Sequence, residues 1–292
     1  MKLQGFVDLH THGIGRHDTR TDDYEEILTM AGAHAKAGTI AILPTIYAGP
    51  VNEMRKSLQA VSKAMDVQAY SRRFGAQILG VNFEGPFLNP VRCGAMDKDS
   101  FIKPTLAALR KLIDGYEDIV RIITIAPELP GALKVIEKCA DMGIRVNMGH
   151  SDATLRQARD AKKAGATGVT HLFNAMRPFH HREPGLAGLG LIDSDLSVEV
   201  IADGVHLHPK TLELIFNCKP LDKIIIVSDS VKGSASAEGV VYSHGILAGS
   251  GLTIGGAAKK LQRIGITDAT ILKTSINNPL RYISREGSRR CC

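Results

Sequence analysis

Residues 147–188 open with NMGHSDAT (147–154) and close with GVTHLFNAMRPFHHREPGLAG (168–188). Between them lies an Ala-, Lys- and Arg-rich segment, Ala153–Ala164, with helical character. His150 and His171 each close a short apolar run, Ile144–Met148 and Gly168–Thr170. The pattern is strand–helix–strand with one potential ligand at the carboxyl end of each strand. Parallel strands turn both imidazoles into one mouth.

The same alternation extends outward in both directions. Phe6–Leu9 is an apolar run ending in His10-Thr11-His12, and a period of two puts both imidazoles on one face. Helical pattern follows over Asp22–Ala37, with Gly38 as its C-cap. A strand over Thr39–Leu43 is expected to stop at Pro44, and a helix spans Val51–Asp66. Ile78–Phe83 is a strand ending at Glu84. Helix Pro104–Ile113, strand Val120–Ala126 and helix Leu133–Met142 lead into the central stretch. After it come strand Leu196–Ile201, helix Lys210–Asn217 and strand Lys223–Val227, which ends at Ser228-Asp229. Eight apolar strands alternating with helices over residues 6–229 predict a closed (β/α)₈ barrel, a TIM barrel. The whole chain, 1–292, reads as one domain. Residues 230–284, with helical pattern over Ala257–Ile264 and Asp268–Ser275, are expected to be helices closing the barrel, followed by a short tail.

Composition sets the bounds. A chain of 292 residues with 44% hydrophobic content buries a large core without staples. Its apolar runs are too short to span a membrane. The start, MKLQGFVDLH, is unlike a signal peptide, and the five cysteines (Cys93, Cys139, Cys218, Cys291, Cys292) lack zinc-type pair spacing. A reduced, cytoplasmic setting is expected. The formal charge of +6 suits an anionic substrate. Dispersed basic residues, 5% aromatics and no tryptophan argue against nucleic acid, because stacking platforms are scarce.

Six polar groups end these strands: His10, His12, Glu84, His150, His171 and Asp229. A single histidine at a strand end is more often hydrogen-bonded or exposed than a ligand. Glu84 alone fits a surface carboxylate, and Asp229 alone a helix cap. Together on the carboxyl face of a barrel they are costly to desolvate without a cation. Imidazole and carboxylate suit zinc or ferrous iron equally.

These residues sit in stretches that resemble the amidohydrolase superfamily, and within it the N-acetylglucosamine-6-phosphate deacetylases. The matching stretches are GFVDLHTHG (5–13), NFEGPFLNP (82–90), MGHSDAT (148–154), THLFNAM (170–176), HREPGLAG (181–188), IADGVHLHP (201–209) and LAGSGLT (247–253). The resemblance implies a main metal ion on Glu84, His150 and His171. It implies a second ion in some members, on His10 and His12 with Glu84 bridging. Asp229 matches the catalytic aspartate. Asn174, Ala175 through its backbone, Arg182 and His206 match groups that grip a phosphorylated sugar. In the family the arginine reaches the phosphate of a neighbouring subunit, which implies a homodimer. The expected reaction is hydrolysis of an acetamide to acetate and an amine. The expected substrate is a small sugar phosphate, most directly N-acetylglucosamine 6-phosphate. The expected cofactor is zinc or iron, one or two ions per chain.

Three departures stand out. The family's small β-sandwich domain has no counterpart here, so the 292 residues are expected to form the barrel alone. The family's carbonyl-polarising histidine twelve residues after the metal-binding glutamate is Met96, in Gly94-Ala95-Met96; a thioether cannot donate to an oxyanion. The usual glycine-rich loop is Ile14-Gly15-Arg16-His17-Asp18-Thr19-Arg20, either a recognition loop or a solvated one. Two alternatives therefore accompany the deacetylase reading: an amidohydrolase for another amide, and an inactive barrel that binds a sugar phosphate.

Overall fold

The structure, a computed structural model, describes residues 5–71, 75–234, 240–243 and 245–284. Eight parallel strands form the barrel wall: β1 (Phe6–Thr11), β2 (Thr39–Tyr47), β3 (Val81–Glu84), β4 (Val120–Ile125), β5 (Arg145–Met148), β6 (Gly168–Val169), β7 (Ser197–Ile201) and β8 (Ile224–Val227). They are hydrogen-bonded in that order. The ring closes just beyond β8. Asp229 N donates to His10 O (2.9 Å), and His12 N donates to Ser230 O (2.7 Å).

Helices cover the outside: α1 (Tyr24–Lys36), α2 (Val51–Tyr70), α3 (Leu106–Ile113), α4 (Ala132–Asp141), α5 (Leu155–Lys163), α6 (Gly185–Ile192) and α7 (Pro209–Cys218). Their starts follow local chemistry. The Asp23 side chain accepts from Glu25 N at the head of α1. Thr154 and Gln157 form a reciprocal capping box at the head of α5. The large apolar layer between wall and helices includes Ile27, Leu58, Phe83, Leu112, Val146 and Leu261. A smaller cluster joins Val7, Leu9, Leu43, Ile122, Ile225 and Val227 of the strands to Ile276 and Tyr282.

Two expectations need correction. The second strand does not stop at Pro44; it runs to Tyr47. Residues 41–42 pair with Gln77–Ile78, and residues 45–47 pair with β3. Pro44 sits where β2 changes neighbours, so its missing N–H breaks no ladder on that side. Residues 230–284 are not helices alone. Val240–Ser243 (β9) and Ile246–Ser250 (β10) form an antiparallel pair before α8 (Ile254–Arg263). β-Branched and apolar residues on either side of Gly245 (φ 77°) suit that pairing better than a helix. The chain then continues as α9 (Asp268–Leu272), a π turn (Lys273–Asn277) and α10 (Asn278–Ile283). The tail, with Cys291 and Cys292, lies outside the described residues. No helix among the described residues is long and apolar enough to cross a membrane.

Candidate active site

Each of the six expected groups lies at the carboxyl end of a strand or within two residues beyond it, and all are buried. They fall into two triads, His10–His12–Asp229 and Glu84–His150–His171. Glu84 Oε1 is 2.9 Å from Nε2 of both His150 and His171, and those two nitrogens are 3.1 Å apart. Glu84 Oε2 is 3.1 Å from His12 Nε2, which joins the triads. His12 Nε2 is also 3.2 Å from Asp229 Oδ1 and 3.2 Å from His10 Nε2.

The backbone is bent to reach this arrangement. His150 (φ 47°), His171 (φ 28°) and Asp229 (φ 49°) all lie in the left-handed region, as do Phe173 and Ala175. Non-glycine residues there cost about 1–3 kcal/mol each and collect at functional sites.

The donor set can be tested for a cation. His150 Nδ1 is 2.8 Å from Arg92 O, and His12 Nδ1 is 3.0 Å from Thr45 O. A carbonyl only accepts, so both Nδ1 atoms carry the proton. Each ring then turns its Nε2 toward a carboxylate oxygen. Two acceptors at such distances repel unless positive charge lies between them. The protonation tendencies agree. Burial opposes charging His12, yet its bonds to Asp229 and Glu84 leave its pKa raised to about 9. Burial likewise opposes charge on His10 and His171, and facing carboxylates raise both. Glu84 and Asp229 would be neutralised by burial, but the surrounding imidazoles hold both carboxyls below their ordinary range. The cage attracts positive charge, and its N and O donors fit zinc or ferrous iron.

The expected substrate groups are less uniformly placed. Ala175 O accepts from Ser151 N at 3.1 Å, which ties the His171 loop to the His150 loop. Asn174 Nδ2 turns back toward His171 O at 3.3 Å. His206 is fixed through Nδ1, 2.6 Å from Asp203 Oδ2. Arg182 is exposed and pairs with His181 inside its own loop. Met96 N donates to Cys93 O in a turn against the site; a Cβ on Gly94 would lie 3.5 Å from His150 Cε1. The 14–20 loop is packed rather than loose. Gly13–Ile14 pairs with His17–Asp18, and Arg20 lies 4.0 Å over the Tyr47 ring, itself edge-on to His12.

Several residues around the cage were not expected. Glu199 Oε2 is 2.9 Å from His10 Nδ1, and Asn147 Nδ2 donates to Glu199 Oε1. A charge inside the apolar run Leu196–Ile201 was a readable signal, because such residues are buried only with partners. The carbonyls of Thr45 and Arg92 carried no such signal, since any residue supplies one.

The sequence model of the amidohydrolase family matches residues 1–258. The N-acetylglucosamine-6-phosphate deacetylase of Bacillus subtilis (strain 168) is 34% identical, over 98% of this chain and 77% of the relative. The N-acetylgalactosamine-6-phosphate deacetylase of Escherichia coli O157:H7 is 31% identical, over 97% of this chain and 78% of the relative. The crystal structure of the Mycobacterium smegmatis N-acetyl-D-glucosamine-6-phosphate deacetylase superposes with a TM-score of 0.85 at 29% identity, covering 96% of this chain and 78% of that one. A mutant of that enzyme is known in complex with N-acetyl-D-glucosamine-6-phosphate. With its family model matched over most of the length and its strand-end histidines and carboxylates gathered at one mouth, the chain belongs to the amidohydrolase family.

Proposed function

We propose that this chain is a metal-dependent deacetylase that hydrolyses the acetamide of an N-acetylated amino-sugar 6-phosphate, most directly N-acetylglucosamine 6-phosphate. The observation that carries this reading is the buried cage of four imidazoles and two carboxylates at the barrel mouth, in a chain whose relatives are sugar-phosphate deacetylases.

Glu84, His150 and His171 would hold one divalent ion, zinc or iron; His10, His12 and Asp229 would hold another. When bound, such an ion lowers the pKa of a coordinated water and polarises the amide carbonyl. Asp229 accepts the water's proton on its carboxylate and delivers it to the departing nitrogen. Water oxygen adds to the acyl carbon, the C–N bond breaks, and the products are acetate and the amino-sugar phosphate. The backbone of Ala175, Asn174 and His206 position the sugar. Arg182, whose planar fork suits a phosphate, serves the site of a partner subunit in a homodimer. Free Cys93, Cys139 and Cys218 accord with a cytoplasmic location.

Met96 motivates a second reading, an amidohydrolase for a different amide. The deciding experiment incubates zinc-loaded or iron-loaded protein with the 6-phosphates of N-acetylglucosamine and N-acetylgalactosamine and measures acetate. Release from either supports the deacetylase, and the faster one names the sugar. No acetate from either overturns it.

A further inference from the structure

The four imidazoles of the cage differ in what stands behind them. His12 and His150 are backed by the neutral carbonyls of Thr45 and Arg92. His171 Nδ1 is buried without a hydrogen-bond partner. Among the described residues, only His10 is backed by a carboxylate, that of Glu199 at 2.9 Å. Glu199 is 1% exposed, and both of its oxygens face donors.

Behind Glu199 runs a continuous buried chain. Asn147 bridges Glu199 to the Tyr282 hydroxyl, which donates to Asn147 Oδ1 at 2.5 Å. Thr167 Oγ1 is 3.0 Å from the same hydroxyl. The line therefore joins α10 to the ring of His10. Room for it has been left in β6: a Cβ on Gly168 would fall 2.3 Å from Asn147 Oδ1 and 2.4 Å from the Tyr282 hydroxyl.

A carboxylate behind a ligating imidazole holds the proton on Nδ1, aims the Nε2 lone pair and makes the ring a stronger donor. It also adds charge. Glu84, Asp229 and Glu199 bring three negative charges into one enclosed space. Among the described residues none of the three pairs with lysine or arginine. Asp8, also buried, spends its oxygens on Ser228 and on the His10 backbone. Three buried carboxylates so placed favour cations beside them.

We propose that Glu199 is a positioning residue that acts through His10 to fit this chain for a second divalent ion in the His10–His12–Asp229 group. The inference rests on the metal-dependent reading above. The test is a zinc titration of the metal-free full chain by equilibrium dialysis with elemental analysis, on wild type, Glu199→Gln and Tyr282→Phe. The glutamine variant can keep a satisfied network: its Oε1 accepts from His10, and the Asn147 amide turns over to accept from its Nε2. Wild type is expected to bind two ions. Glu199→Gln is expected to keep one at full strength and to bind the other about 10- to 100-fold more weakly. Tyr282→Phe, which leaves the Glu199–His10 contact in place, is expected to keep two. Melting with and without zinc is the second measurement. Glu199→Gln should lose part of the zinc-dependent rise in melting temperature, each protein read against its own metal-free form, whereas a purely scaffold role lowers both forms and leaves that rise unchanged. Two ions bound by Glu199→Gln as tightly as by wild type overturn the proposal. So does a single ion in wild type, an equal loss in Tyr282→Phe, or an undiminished zinc-dependent rise in melting temperature for Glu199→Gln. A wild type that binds no zinc and releases no acetate overturns the underlying reading instead.

Discussion

His150 and His171 point their Nε2 atoms at each other across 3.1 Å, from adjacent strand ends and from left-handed backbone. Glu84 Oε1 lies 2.9 Å from both, so three donor atoms converge on one point that a cation would hold together. His171→Ala should therefore remove one ion per chain. With free zinc about 100-fold above the dissociation constant, one bound ion adds about 2.7 kcal/mol to stability. The variant should lose about that much of the zinc-dependent stabilisation, read from melting with and without zinc. Full retention of the zinc effect would mean that His171 is not a ligand.

Asp229 holds its carboxylate beside His12, at 3.2 Å, from a strained position just past β8. Asp229→Asn keeps the shape and removes the proton acceptor. Acetate release should fall by about 10²- to 10⁴-fold. A drop of less than tenfold would assign the proton transfer to another group.

Met96 stands in a turn packed against His150. If the pocket otherwise suits the acetylated sugar phosphate, Met96→His restores a donor to the carbonyl oxygen. Turnover of N-acetylglucosamine 6-phosphate should rise by up to about 10²- to 10³-fold, the usual worth of one such donor. An unchanged or lower rate would show a pocket rebuilt for another amide.

Among the described residues the Arg182 side chain pairs with His181 alone, and the proposed phosphate contact across a dimer can be tested. Arg182→Ala should raise KM more than it lowers kcat. Mixing it with Asp229→Asn should restore activity, because about one site in four in the mixed population then has both residues intact. Mixtures no more active than their components would remove the shared site.

His34 lies fully buried under the site, with Nε2 3.0 Å from Thr11 Oγ1 and Nδ1 unpaired. Burial pushes its pKa down to about 4, from an ordinary 6.5. Between those values the unfolded chain binds the extra proton, so stability is lost as pH falls through this window. The shift corresponds to something on the order of 3 kcal/mol. Urea unfolding between pH 6.5 and 4 should show wild type losing more stability than His34→Gln by about that amount. Parallel curves for the two proteins would show that His34 does not carry this loss.

The barrel was legible because the wall strands are short apolar runs and most covering helices are amphipathic; α6, buried at nearly every residue, was the helix not read. That alternation belongs to the local sequence and admits few topologies. The six site groups were legible for a related reason: residues at the carboxyl ends of parallel strands must share one mouth. Elements whose identity depends on pairing were not legible. β9 and β10 are strands only because they have each other, and Pro44 is tolerated only because β2 changes partners there.

The sequence by itself thus determined which six imidazoles and carboxylates meet and on which face of the molecule. Tertiary structure alone decided how they are poised. The proton on each Nδ1 of His12 and His150 is set by a carbonyl from a different strand or loop. The charge behind His10 comes from Glu199, 189 positions away, and is anchored through Asn147 to Tyr282 on the last helix. Local sequence specifies a ligand's identity. Its tautomer, its basicity and the charge it must balance are properties of whatever the fold packs against it.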